Sequence, residues 1–460
     1  MNPDSERPAV TELRLSAFKA HRGVVLPLGP LTLLSGGSGS GKSSALQAYE
    51  ILARLGSGQS LARAVRDVAG GPSACVPAGA RPDEQGRRGF RIGCTVSGPV
   101  GTVSLDLAVQ AEPELRIVGE RLTGGGETLL TTALTDPDRA AVQAAWHTAG
   151  ATPVTRAPLP DDRLGTSLLP LRVAGKTAGQ RLVLAAAEQV VVALRSAFVC
   201  DPRPEVMRGT GGARAAGGAG LPGTTGVTGV TGVAGVAGGS AERGSGVRGV
   251  RGKGAGKGRE GHEEGRLRSS CDNLPAVLAR TSQECVRRHA VLVAAVREAC
   301  VGPVDGLRAV PRQAGVTNAG TAGSGAAVPV AGRGGAAGAQ PGGGLGEAGV
   351  QVVLDRGALG EMPVEQLGDG ELRFLALALV LLTGPGVLAM DPAGEIPSAH
   401  QQMTVMADGM DRCMDRRQAR ELVSLAVRMA ERGHVRLLGT VRDPSVAEGL
   451  PGVQVLHLGA

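Results

Sequence analysis

Eight residues constrain this chain more than any others. GGSGSGKS, from Gly36 to Ser43, satisfies G-x-x-x-x-G-K-[ST] at every position. The pattern demands a strand before it and a helix after it, and both are present. PLGPLTLLS (Pro27–Ser35) is a short apolar run bounded by Pro and Gly and reads as a buried strand. Ser44–Leu55 places Leu46, Tyr49, Ile51, Leu52 and Leu55 largely on one helical face. Glycines allow the backbone to wrap so that several N–H groups face one anion. Lys42 would bring a mobile charge to β- and γ-phosphates, Ser43 a hydroxyl to Mg²⁺, and the helix its positive dipole end. The expected ligand is a nucleoside triphosphate, Mg-ATP, held by Gly36, Gly37, Ser38, Gly39, Ser40, Gly41, Lys42, Ser43 and Ser44. A second G-K-T at Gly175–Thr177 carries Pro170 where the first Gly should stand, and fails.

The 460 residues allow two or three average domains, but 74 are Gly, clustered in Met207–Arg268 and Gln313–Ala348. Neither stretch has an apolar period, so both read as flexible linkers. The expected organisation is an N-terminal lobe (1–206) and a basic linker (207–268). A helical segment (269–312), a second linker (313–348) and a C-terminal lobe (349–460) complete it. Within the first lobe, TELRLSAF alternates like an edge strand, and FRIGCTV, GTVSLDLAV and ELRIVGERL form a β-rich patch. Helices are expected around Asp138–Ala149, Ala178–Phe198, Asn273–Ala299, Glu371–Leu382 and Arg416–Arg432. Strands are expected at VQVVLDRG, at GVLAMD ending in Asp391, at Val435–Val441 and at Val453–Leu458.

The net charge of +7 suggests nucleic acid until it is located. Eight basic and four acidic residues between Glu242 and Arg268 supply more than half of it. A basic tether is one reading of that segment and a DNA-touching arm the other. Seven scattered Cys, none in C-x-x-C, fit a reducing cytoplasm. The polar N-terminus and the shortness of the apolar run Phe374–Leu382 give no sign of a membrane segment.

Two further motifs carry chemistry. QLGDGELRFLALAL (Gln366–Leu379) sets a Gly-bearing turn at a helix N-terminus, a place suited to phosphate. VLAMDPAGEIP (Val387–Pro397) is an apolar strand ending in Asp391, suited to a Mg²⁺-holding carboxylate.

With these three motifs the chain resembles the RecF- and SMC-like branch of ABC-type ATPases, in particular compact ATP-binding proteins of the AAA family. The resemblance covers Glu12–Leu55 and Val350–Ala460, and loosely Glu114–Leu122, Phe198–Arg208 and Cys271–Leu278. It implies an α/β P-loop NTPase fold, an ABC-type head split between N- and C-terminal lobes. Gly36–Ser43 would be the Walker A loop, and Ser43 and Asp391 the Mg²⁺ ligands. The resemblance also implies a homodimer, with nucleotide between one P-loop and the partner's signature turn, here Gly368, Asp369, Gly370 and Glu371. In the family a Glu follows the Walker B Asp. Here that position is Pro392, and Glu395 is the nearest acid, hence the candidate general base. The family's switch His matches Arg442, while His434 precedes the strand. For the Q-loop Gln only Gln85 and Gln110 offer themselves.

Three readings follow. One is an ATP-gated dimerising switch with weak ATPase activity. The second is a catalytically degenerate nucleotide-binding scaffold with an unidentified protein partner. The third is a DNA-maintenance ATPase of RecF or SMC type, which would take DNA as a partner.

Overall fold

The computed structural model describes residues 7–148, 154–208, 266–311, 350–383, 387–388, 402–433 and 435–459. An antiparallel sheet begins the chain. Strands β1 (Ala9–Phe18) and β2 (His21–Pro27) form a hairpin. Strand β3 (Leu31–Ser35), with all five residues buried, then leaves for a second sheet. The first sheet resumes with β4 (Arg88–Gly98), β5 (Gly101–Glu112), β6 (Arg116–Gly124), β7 (Glu127–Ala133), β8 (Ala141–His147) and β9 (Val154–Pro160). Its order is β2-β1-β4-β5-β6-β7-β8-β9.

The second sheet draws on both ends of the chain. It adds β10 (Ala197–Val199), β14 (Met403–Ala407), β15 (Val435–Thr440) and β16 (Val453–His457) to β3. Every pairing is parallel, in the order β10-β14-β15-β3-β16. A small antiparallel sheet joins β11 (Gly306–Pro311), β12 (Val350–Asp355) and β13 (Glu361–Pro363).

The parallel sheet divides two apolar cores, and the two-residue period of its strands decides which side chain enters which. Leu31 and Leu33 of β3, Val405 of β14 and Leu437 of β15 face one core; Leu34, Met406 and Leu438 face the other. The second core is closed by the antiparallel sheet and by α1 (Lys42–Gly56), α2 (Leu61–Ala69), the short α3 (Gly165–Leu168) and α4 (Ala178–Arg195). The first is covered by the short α5 (Pro204–Met207), α6 (Leu274–Glu284), α7 (Val286–Ala299), α8 (Asp369–Leu382) and α9 (Arg416–Glu431). Helix starts follow local chemistry. Thr177 accepts a hydrogen bond from the Gln180 N–H at the start of α4, and Asp415 and Gln418 form a capping box on α9.

Several expectations are corrected. TELRLSAF lies in β1, which is flanked by β2 and β4 and is not an edge strand. The helix expected around Asp138–Ala149 is β8: Val142, Ala144 and Trp146 are buried alternately. Asn273–Ala299 is two helices, broken at Cys285 by extended backbone (φ −147°, ψ 86°). Met207 and Leu267, assigned to the first linker, are buried core residues, and residues 269–312 include strand β11. Residues 209–265 and 313–348, with most of the basic segment, lie outside the described residues. No described helix is long and apolar enough to cross a membrane.

Glu120, fully buried in β6, ties the antiparallel sheet to α3. It accepts hydrogen bonds from the Gly165 and Thr166 N–H groups, both 2.7 Å, and from the Thr166 hydroxyl. Burial pushes its carboxyl above the usual range, against the pull of these donors. Glu120→Ala leaves three donors unpaired. It is expected to lower unfolding stability by about 3 kcal/mol or more, read as a fall in denaturant midpoint.

Candidate functional site

The parallel sheet sets the site. Ligands in open parallel sheets bind outside the C-terminal ends of the strands, and β3 ends at Ser35, directly before the loop Gly36–Gly41. That loop leads into α1, whose first helical residue is Lys42 and whose cap is Gly41 in the left-handed region (φ 93°). A side chain at 41 is excluded twice. The backbone there is strained for any L-residue, and a Cβ would lie 2.5 Å from the buried His21 ring. His21 itself bonds through Nε2 to the Gly41 carbonyl at 3.0 Å. Lys42 curls back over the loop. Its ammonium donates to the carbonyls of Gly36 (2.7 Å) and Gly37 (2.9 Å) and, at 3.4 Å, to the Ser40 hydroxyl. The N–H groups of the first turn of α1 have no intrahelical acceptors by construction. Gly37, Ser38, Gly39 and Ser43 are exposed; Gly36, Ser40, Gly41, Lys42 and Ser44 are half-buried. A positive, donor-rich cradle open to solvent is what such a segment can offer an anion.

A cleft of about 510 Å³ is lined by Ser43 together with Gln47, Glu50, Asp67, Asp201, Arg203 and Asp408 among others. Asp408 follows β14, two strands from β3, with β15 between them. It accepts a hydrogen bond from the Thr440 hydroxyl at 2.6 Å. Asp201 stands just beyond β10, next to β14, and is paired with Arg203 at 3.0 Å. Glu50 pairs with Arg54 at 2.8 Å. Gly409, the residue after Asp408, has positive φ and no side chain.

The turn before α8 is held by two arginines. Arg208 pairs with Asp369 at 2.6 Å and donates to the Leu367 carbonyl at 2.7 Å. Arg356 pairs with Glu371 at 3.3 Å, and Glu371 accepts from the Gly368 N–H at 3.1 Å. Gly368 and Asp369 are exposed. Gly370 is buried, and a Cβ on it would meet the Cys413 carbonyl at 2.2 Å. None of these four residues lines the cleft of its own chain.

The structure therefore joins Ser43 of the loop with Asp408 and Asp201, two carboxylates that sequence reasoning passed over. The strand expected to end at Asp391 falls mostly outside the described residues. Of that segment Val387 and Leu388 are described, and Leu388 makes one isolated parallel bridge with Leu267. Asp391, Pro392, Glu395 and His434 lie outside the described residues. Gln85 sits in the turn closed by Asp83, and Gln110 is buried in β5 on the Glu114 carbonyl; neither lines the cleft. Arg442 follows β15, and its N–H is fixed by Asp411 at 2.7 Å. The missed signal at Asp408 was MTVMAD itself, an apolar run ending in Asp like VLAMD.

No protein-family model matches the chain, and no curated protein matches it. Among solved structures it is similar to an SMC head bound to the C-winged helix domain of ScpA. That match has 11% identity and a TM-score of 0.42, covering 95% of this chain and 91% of that one. It is also similar to the SMC head domain from Thermotoga maritima (10% identity, TM-score 0.37, covering 97% and 94%). A third is the Smc head domain with an extended coiled coil bound to the C-terminal domain of ScpA, derived from Pyrococcus furiosus (10%, TM-score 0.39, 95% and 91%). At such identities the likeness concerns the fold alone.

Proposed function

We propose that this chain binds Mg-ATP in the loop Gly36–Ser43, hydrolyses it slowly, and pairs with a second copy in the bound state. One observation carries the reading. The Lys42 ammonium rests on the loop's own carbonyls at the N-terminus of α1, at the C-terminal end of an interior parallel strand. The lysine is stored where phosphate oxygens would draw it. The cleft's donor set fits Mg²⁺, a hard ion that favours oxygen and takes one or two carboxylates. Ser43 and Asp408 would hold it; Asp391, the partner of Ser43 expected from sequence, lies outside the described residues. When bound, the ion would draw charge from the phosphate oxygens.

The second reading, a nucleotide-gated scaffold, also has an observation behind it. Gly409 offers no acid–base group after Asp408, and Glu50 and Asp201 are each engaged by an arginine. A general base must reach its proton within about 3 Å or through one water, and a carboxylate already accepting from a guanidinium has fewer lone pairs left for that proton. The exposed Gly368 and Asp369 are the part of the signature turn that a partner's nucleotide would meet.

Titration of the purified chain with fluorescent ATP, with and without Mg²⁺, tests the proposal, beside phosphate release and light scattering. Absence of binding sinks it. Binding with no phosphate release above a Lys42→Ala blank selects the scaffold. Unchanged mass on adding ATP removes the homodimer.

A further inference from the structure

Arg373 sits one turn into α8 and is 3% exposed, and no carboxylate pairs with it among the described residues. Both terminal nitrogens of its guanidinium are spent on backbone, and Nε has no partner among the described residues. Nη1 donates to the Pro202 carbonyl at 2.5 Å, and Nη2 to the carbonyls of Gly409 at 3.0 Å and Asp408 at 3.3 Å. Pro202 follows Asp201 at the end of β10, and Gly409 follows Asp408 at the end of β14. One side chain from the helix behind the signature turn thus grips the backbone beside both cleft aspartates.

We propose that Arg373 is a positioning residue that fixes the separation of Asp201 and Asp408 and links it to the turn Gly368–Glu371. This rests on the nucleotide reading of the cleft. Two facts make the link stiff. A buried guanidinium must keep its acceptors, because an unmatched charge cannot stay out of water. Arg373's planar fork spans two strand ends at once, which a lysine's single ammonium cannot reproduce. The helix also touches the same loop a second time, where Gly370 lies against the Cys413 carbonyl so closely that no Cβ fits. A contact that shifts Gly368 or Asp369 is therefore passed through less than one and a half helical turns to the two carboxylate-bearing strand ends. The link is reciprocal: an ion drawn between Ser43 and Asp408 would bias the turn.

The test compares Arg373→Gln and Arg373→Lys with wild type in two measurements. One is nucleotide affinity in EDTA, where the loop acts without metal. The other is the Mg²⁺ concentration that half-restores full affinity. Loss of a group that orders metal ligands weakens metal binding about 10–100-fold. Arg373→Gln is expected to raise the Mg²⁺ midpoint by that factor with affinity in EDTA unchanged, and Arg373→Lys to fall between. A merely structural role would lower both affinities together, and that result in a folded variant overturns the proposal. So does a wild-type Mg²⁺ midpoint in either folded variant. Where Arg373→Gln does not fold, Arg373→Lys, which keeps the buried charge, carries the test. Wild type that binds no nucleotide overturns the reading of the cleft, and this proposal falls with it.

Discussion

Lys42→Ala is expected to weaken ATP binding by about 100-fold or more while leaving the melting temperature unchanged. Charge-assisted hydrogen bonds contribute about 1.5–3 kcal/mol each, and 1.4 kcal/mol is a factor of ten in affinity. Lys42 is half-buried and bonds only to its own loop, so its loss opens no apolar cavity. No neighbour replaces it: the chain's other lysines are Lys19, Lys176, Lys253 and Lys257. Lys19 is bound to Gln47 at 2.6 Å, and Lys176 is exposed at the start of α4. Calorimetric titration with ATP decides the matter. Equal affinity of mutant and wild type would remove the loop from function. A Gly41→Ala variant gives a control of opposite character, since it keeps the lysine but forces a Cβ into the His21 ring.

The reach of the sequence ends where long-range pairing begins. Strand β3, the loop and α1 were legible because their signals are local: an apolar run, a fixed glycine spacing, one helical stripe. Helix α8 was legible because only a helix buried nearly all round reads ELRFLALALVLL. Strand β8 was missed for a physical reason. AVQAAWH is Ala-rich and suits a helix by propensity, yet Val142, Ala144 and Trp146 serve a sheet face. Likewise β1 alternates because one face is apolar, and alternation does not tell an edge from an interior strand; pairing with β4 does. Asp201 lies within the loosely matching block Phe198–Arg208, yet nothing local marked it as a cleft carboxylate. Its neighbours Cys200 and Pro202 mark only a strand end and a turn, and its place beside Asp408 comes from β10 pairing with β14.

The same limit governs the metal carboxylate, and it yields the second large effect. VLAMD and TVMAD each put four apolar or small residues before an Asp, and the sequence alone gives no reason to choose between Asp391 and Asp408. The sheet supplies an argument for Asp408, while Asp391 lies outside the described residues: β14 sits two strands from β3, pairs with both β10 and β15, and ends beside the cleft that holds Ser43. Asp408→Asn keeps an oxygen for the Thr440 hydroxyl, which now bonds at 2.6 Å, and so preserves the local fold while removing the negative charge. Mg²⁺ selects carboxylate oxygen. The variant is expected to need about 100-fold more Mg²⁺ or beyond for half-maximal ATP affinity, since losing even a group that only orders a metal ligand costs about 10–100-fold. Affinity in EDTA should be unchanged or higher, because a like charge has been taken away from the triphosphate. Asp391→Asn, measured beside it, is expected to titrate as wild type. The reverse pattern, a shifted midpoint for Asp391→Asn and none for Asp408→Asn, would return the metal to the residue chosen from sequence. It would also detach the cleft at the end of β14 from nucleotide chemistry.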